Sequence, residues 1–219
     1  MTFGMRICDD RYDRERARME LALRFLRHEA RTQTIRAWTG LSDDRIRKLY
    51  RSYMHDVRGQ LPRHRGKSPH QAAYFTRSLR LQEESALLAS LLSLLGVLPA
   101  AARGVGAGPG RGRLFPGDAP PDAPPLASLR RGELLCQAFE AFRLLLPAAQ
   151  ISFEHTVFLA GALARGDQLR LGDCGGCGSL IVTECFPLRL ARCVHCASPQ
   201  LRAAPAGEGG ASGRDGSPA

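Results

Sequence analysis

Four cysteines towards the C-terminal end carry the clearest chemistry in the chain. They read Cys174-Gly-Gly-Cys177 and Cys193-Val-His-Cys196, two C-x2-C pairs separated by fifteen residues. A two-residue gap lets one tight turn present both sulfurs to a single metal, and two such turns close a tetrahedron around it. Gly178, directly after Cys177, suits the unusual dihedrals of a turn whose amides face sulfur. Between the pairs, Leu180, Ile181 and Val182 have strand character, so the segment reads as a small zinc ribbon or paired knuckles. Four thiolates leave no position open for water or substrate, which makes the expected zinc structural rather than catalytic. Apparent binding energies of such sites, on the order of 10–16 kcal/mol, make folding depend on the metal.

Two other readings use the same residues. A thioredoxin-type C-x-x-C needs a βαβ context that the sequence does not offer. A pair of disulfides sits poorly with an odd total of seven cysteines, four of them in two close pairs. Cys185 and His195 lie near enough to serve as alternate ligands, although His195, inside the second pair, is expected to point outward. Cys8, Cys136 and Cys185 read as free thiols, Cys136 as a small core residue.

A second constellation lies between Thr32 and Arg51, in "TQTIRAWTGLSDDRIRKLYR". Its spacing matches a helix-turn-helix. Ile35 faces inward from the first helix, Gly40 makes the turn and Leu41 packs behind it. Ile46 and Leu49 anchor the second helix, and Arg45, Arg47, Lys48 and Arg51 project from it as candidate DNA contacts. Arg36 occupies a place that is usually small, to let the helices approach. The alternative is an ordinary helical hairpin with a solvated basic face.

The composition bears on that choice. The chain has 219 residues, 44% of them hydrophobic, enough for a real core, and a formal net charge of +10. Lys48 and Lys67 are the only lysines, so nearly all the positive charge is arginine, whose planar fork suits phosphate and guanine edges. A balance this basic points to a polyanion partner. The charged opening "MTFGMRICDDRYDRERARME" is not a signal peptide, and the apolar run Ala86 to Ala102 carries serines and Pro99, which suits a buried helix better than a membrane span. The expectation is a soluble, cytoplasmic protein with no membrane partner.

The elements that position these residues read as mainly helical. One helix is expected from about Tyr12 to Glu29, a second over Thr32 to Trp38, and a third from Asp43, with Ser42 as its cap and acids in its first turn. The loop around Pro62 and Pro69 is basic and is expected to be exposed. One or two long helices follow, leucine-rich from Leu87 to Leu95, and apolar enough all round to need cover from the domain core or from a partner subunit. The organisation expected is a helical domain over 1–99 with the helix-turn-helix-like segment at 32–54, a Gly/Pro-rich linker or insertion over 100–130, and helices over 131–170. A zinc-binding lobe over 171–199 and a low-complexity, disordered tail over 200–219 complete it. The stretch "ISFEHTVFLAGALARGDQLRL" is read as helix leading straight into the cysteines.

The stretch "MELALRFLRHEARTQTIRAWTGLSDDRIRKLYRSY", a Pro-rich basic loop, "FEAFRLLL" and the two C-x-x-C pairs together resemble the FlhC family, the zinc-bearing subunit of the bacterial flagellar master transcriptional activator. The likeness spans roughly residues 15–95 and 133–197, and "LSDDRIRKLY" and the cysteine spacing are its most specific parts. The block from Ala100 to Ser128 looks like an insertion that family does not usually carry. The resemblance implies a mostly helical protein with zinc on Cys174, Cys177, Cys193 and Cys196, working in a hetero-oligomer with an FlhD-like partner. It implies binding to promoter DNA upstream of flagellar genes and recruitment of RNA polymerase.

The leading expectation is therefore a DNA-binding activator subunit that is not an enzyme. The alternatives are a zinc-ribbon module that binds protein or RNA, and a diverged paralogue that regulates other genes. The chain shows no nucleophile elbow and no paired catalytic carboxylates, and "GVGAGPGRG" lacks both the preceding strand and the following lysine-serine of a phosphate loop.

Overall fold

A computed structural model describes residues 7–53, 69–98, 125–185 and 192–197. The basic loop up to residue 68, the block up to residue 124 and the tail over 200–219 fall outside them.

The chain is mainly helical, as its periodicity predicts. Helix α1 (Ile7–Arg27) turns Leu21, Ala22, Phe25 and Leu26 into the core, a stripe with helical spacing. Helix α2 (Thr32–Thr39) buries Ile35 and Trp38, and helix α3 (Asp43–Tyr53) buries Ile46 and Leu49. Gly40 ends α2 at φ 69, a left-handed conformation that costs glycine little, and its amide reaches the Arg36 carbonyl at 2.8 Å. Ser42 sits where a cap is expected, its carbonyl accepting the Ile46 amide at 3.0 Å.

A short 3-10 turn (Ala72–Phe75) precedes helix α4 (Leu79–Leu94), which Ser78 caps by accepting the Leu81 amide. Helix α5 (Pro125–Leu145), helix α6 (Phe153–Arg165) and the antiparallel strands β1 (Leu169–Asp173) and β2 (Leu180–Glu184) follow. One turn of helix, α7 (Val194–Ala197), closes the described chain.

Two expectations need correcting. Helix α5 begins at Pro125, inside the stretch read as linker; proline is at home in a first helical turn, where its missing N–H goes unused. The segment after α6 is not helix up to the cysteines. The Gly166 amide closes α6 on the Ala162 carbonyl, and Leu169 and Leu171 then alternate inward as one arm of a hairpin.

This chain itself covers one face of the leucine-rich helix α4, while Leu94 stays exposed. The helix packs against α5, α6, β2 and α7, with Leu81, Leu88, Ala89 and Leu92 fully buried. Helix α5 closes on α1 and α2 because Gly132 has no side chain: a Cβ there would lie 2.7 Å from Leu21 Cδ2 and 3.3 Å from the Trp38 ring. Phe153 of α6 fills the junction, its ring 4.9 Å from Phe25 and 5.3 Å from Phe139, both edge-on.

Two carboxylates anchor this packing through donors from other elements. Glu84 on α4, 3% exposed, accepts the Arg80 guanidinium at 3.0 Å and the amides of Gln150 and Ile151 at 2.9 and 3.2 Å. That carboxylate fixes the backbone just ahead of the α6 cap. At the α1–α5 seam, Arg24 grips both oxygens of Glu140, at 2.9 and 2.6 Å, and also pairs with Glu133.

Candidate metal centre

The β1–β2 hairpin carries the first cysteine pair in its connection and lies between two cores. Leu171 pairs with Val182 on the face that joins Leu169 in the main helical core. Ile181 is on the opposite face, in a second small cluster with Cys174, Cys193 and Cys196. The strand expected at Leu180 to Val182 is present, and its middle is buried on both faces, Ile181 toward the sulfurs and Val182 toward the helical core.

The Sγ atoms of Cys174, Cys177, Cys193 and Cys196 all lie within 4.8 Å of one another. Cys177 Sγ and Cys193 Sγ are 3.5 Å apart. Four sulfurs at ~2.3 Å from one tetrahedral ion would stand roughly 3.8 Å apart, so the cluster has the dimensions of a four-thiolate site.

The backbone is turned to support negative sulfur. Cys174 Sγ accepts the Gly176 amide at 3.3 Å and the Cys193 amide at 3.1 Å. The Cys193 amide first, then the Gly176 amide, pull the Cys174 thiol down to about 6. The Ser179 hydroxyl, followed by the Cys196 amide, lowers Cys193 in the same direction. The Ser179 hydroxyl also stands 3.2 Å from Cys177 Sγ. The knuckle is set by Gly178 at φ 72, with its amide on the Cys174 carbonyl at 2.9 Å. Gly176 leaves room for the second pair: a Cβ there would sit 2.9 Å from Cys196 Sγ. The second pair is held by α7, where the amides of Cys196 and Ala197 reach the Cys193 carbonyl at 3.1 and 2.9 Å.

This donor set fits a metal. Four converging soft ligands, two of them already held toward the thiolate form, suit a tetrahedral ion such as zinc or iron. Cys174 and Cys193 are buried while Cys177 is exposed, so the cluster lies at the surface. Cys185 stands apart, its thiol on the Gly166 carbonyl at 3.2 Å and raised by burial, and His195 is exposed outside the sulfur cluster. Cys136 is fully buried in α5, where burial pushes its thiol up. Cys8 lies where no side chain is described. Sequence reading identified the four sulfurs but not Ser179 or the close approach of Gly176; the Gly-Gly inside the first pair is the signal for the latter.

The four basic candidates on α3 are all exposed. Arg45 pairs with Glu15 of α1, and Arg47 with Asp44 at 3.2 Å. Arg36 also points outward, 3.9 Å from Asp43, and so does not hold the two helices apart. Lys48 and Arg51 lie on the same outward side of α3 as Arg47, at helical spacing. No described helix is long and apolar enough to cross a membrane.

No protein-family model matches the chain, and no curated protein matches it at a significant level.

Proposed function

We propose that this chain is a DNA-binding transcriptional activator subunit of the FlhC kind, with one structural zinc ion on Cys174, Cys177, Cys193 and Cys196. In this reading it works in a hetero-oligomer with an FlhD-like protein, binds flagellar promoters and contacts RNA polymerase there. The observation that carries it is the pairing, in one helical body, of an α2–turn–α3 unit presenting Arg45, Arg47, Lys48 and Arg51 to solvent with a four-sulfur cluster of tetrahedral dimensions. The net charge of +10 supports a polyanion partner. Zinc, bound there, would lock two knuckles that have little apolar core of their own. The chain's own residues do the rest: amides and the Ser179 hydroxyl favour the thiolate form of Cys174 and Cys193, and exposed arginines neutralise phosphate. The reading needs no catalytic step.

The second reading, a zinc-ribbon module for protein or RNA, is favoured by the ion pairs that already occupy Arg45 and Arg47. Selection from a random duplex pool separates the two. The chain is used alone and with the FlhD-like protein of the same genome, across salt. Enrichment of a defined sequence, with affinity falling steeply with salt, supports the activator. Sequence-blind binding, or none, overturns it in favour of the module.

A further inference from the structure

Glu154 lies in the first turn of α6, with 7% of its surface exposed. Its carboxylate reaches across to the start of α2. Oε1 accepts the backbone amide of Arg31 at 2.8 Å, and Oε2 accepts the Thr34 hydroxyl at 3.0 Å. Arg31 is the N-cap of α2, yet its side chain makes no capping hydrogen bond, and the first turn of α2 contains no acid. The anion that the positive end of α2 favours therefore comes from another helix, more than a hundred residues along the chain.

The position of this contact gives it consequence. Helix α2 has eight residues, too few to hold itself together in water. Only Gly40, Leu41 and Ser42 separate it from α3, so the placement of α2 sets the placement of the α3 basic face. Helix α6, on its other side, packs against β1 and α4, which lead to the cysteine cluster.

We propose that Glu154 is the positioning residue of the DNA reader, a cap supplied by α6 that fixes α2 and, through the Gly40 turn, the Arg47, Lys48 and Arg51 face. This rests on the DNA-binding reading above; the cap itself stands on its hydrogen bonds. A buried carboxylate needs its donors as much as they need it, so loss of either side is not made good by water.

The test uses the full-length, metal-loaded chain, in whichever form binds duplex in the selection. Glu154→Ala is expected to speed amide exchange in α2 by roughly tenfold or more and to raise the Kd for the selected duplex by a similar factor. Active fraction, metal content and salt slope are expected to stay unchanged, because the phosphate contacts are still made. Glu154→Gln keeps an acceptor for the Arg31 amide and is expected to recover most of the affinity. Should Glu154→Ala fail to fold, Thr34→Val, which removes only the hydroxyl partner, carries the test with an expected loss of a few-fold. A residue that merely stabilises the fold would lower the active fraction and leave Kd alone, and that outcome overturns the positioning role. A wild-type chain that selects no duplex overturns the DNA reading and this role with it. A binding wild type matched by both variants overturns this role only.

Discussion

The backbone amide of Cys193 donates to the sulfur of Cys174 at 3.1 Å, so the two knuckles are joined to each other before any ion is considered. The main-chain bond orients the second pair toward the first. A four-thiolate cluster without a counter-ion is nonetheless self-repelling, and the amides offset only part of that charge. The ion should then decide whether the outer layer of the lobe is ordered.

Chelation is expected to remove one equivalent of zinc per chain and to open the segments around Cys177 and Cys196. The helices should survive, because Leu169, Leu171 and Val182 belong to the main core rather than to the sulfur cluster. Cys193→Ser should behave like the chelated protein. Circular dichroism with elemental analysis reads both. Purified protein without metal, melting as one unit at the same temperature as the loaded form, would end the structural-zinc account.

Gly176→Ala tests the shape of the site without touching a ligand. The new Cβ would press on Cys196 Sγ, which cannot swing away while it holds a metal. Metal affinity is expected to fall roughly 10–100-fold, the scale of damage to a supporting shell. A competition titration against a chromogenic chelator measures it. Unchanged affinity would mean that Cys196 is not a ligand.

Much of this site was legible from local spacing. Cys174, Cys177, Cys193 and Cys196 announce themselves because knuckle geometry is a matter of neighbouring residues. The same holds for the Gly40 turn and for the strand at Leu180 to Val182. Strand β1 was hidden because its alternation spans only Leu169 and Leu171, beside a strong helical pattern. The partners of Glu84, Glu140 and Glu154 were hidden for another reason. A buried glutamate is satisfied by amides or arginines brought from far along the chain, and nothing next to it in sequence says which.

The basic residues of α3 should divide into a brace and a contact set. Arg45 ties α3 to Glu15 of α1, so Arg45→Ala is expected to cost about 0.5–1 kcal/mol of stability and to change the salt dependence of duplex binding little. Lys48→Ala and Arg51→Ala should leave stability within about 0.5 kcal/mol and each reduce the salt slope by about one. Thermal melts beside binding isotherms at several salt concentrations separate the two effects. An equal drop in slope for Arg45→Ala would make it a phosphate contact and not a brace.

Glu84 should be among the costliest polar positions. Glu84→Ala strands the amides of Gln150 and Ile151 and frees Arg80, for an expected loss of about 3 kcal/mol. Glu84→Gln keeps an acceptor for the amides and should lose about half as much. Denaturant unfolding measures both. Equal losses would show that the negative charge, rather than the acceptor geometry, secures the chain ahead of α6.

Acid should loosen the α1–α5 seam in two stages, and the sign follows from which state takes the proton first. Burial holds His28 below its ordinary 6.5, and Arg27 and Arg24 push the same way, against the pull of Glu140. Neutral His28 donates from Nε2 to Glu140 Oε1 at 2.8 Å. The unfolded chain therefore protonates this histidine before the folded one does, and stability falls as pH drops below about 6.5. Glu140 is held below its ordinary 4.5, first by the Arg24 hydrogen bond and then by His28, against desolvation. Its contribution is complete above that value and is lost as pH falls through the folded pKa. Glu140→Gln should thus lower Tm near neutral pH, and the gap to wild type should close as the pH falls below about 4.5. Glu140 is more than a third exposed, so solvent and salt screen the pair, and the gap should also shrink in high salt. A gap that persists unchanged at low pH would mean that Glu140 acts through packing on Phe139 and its neighbours, with its charge playing no part.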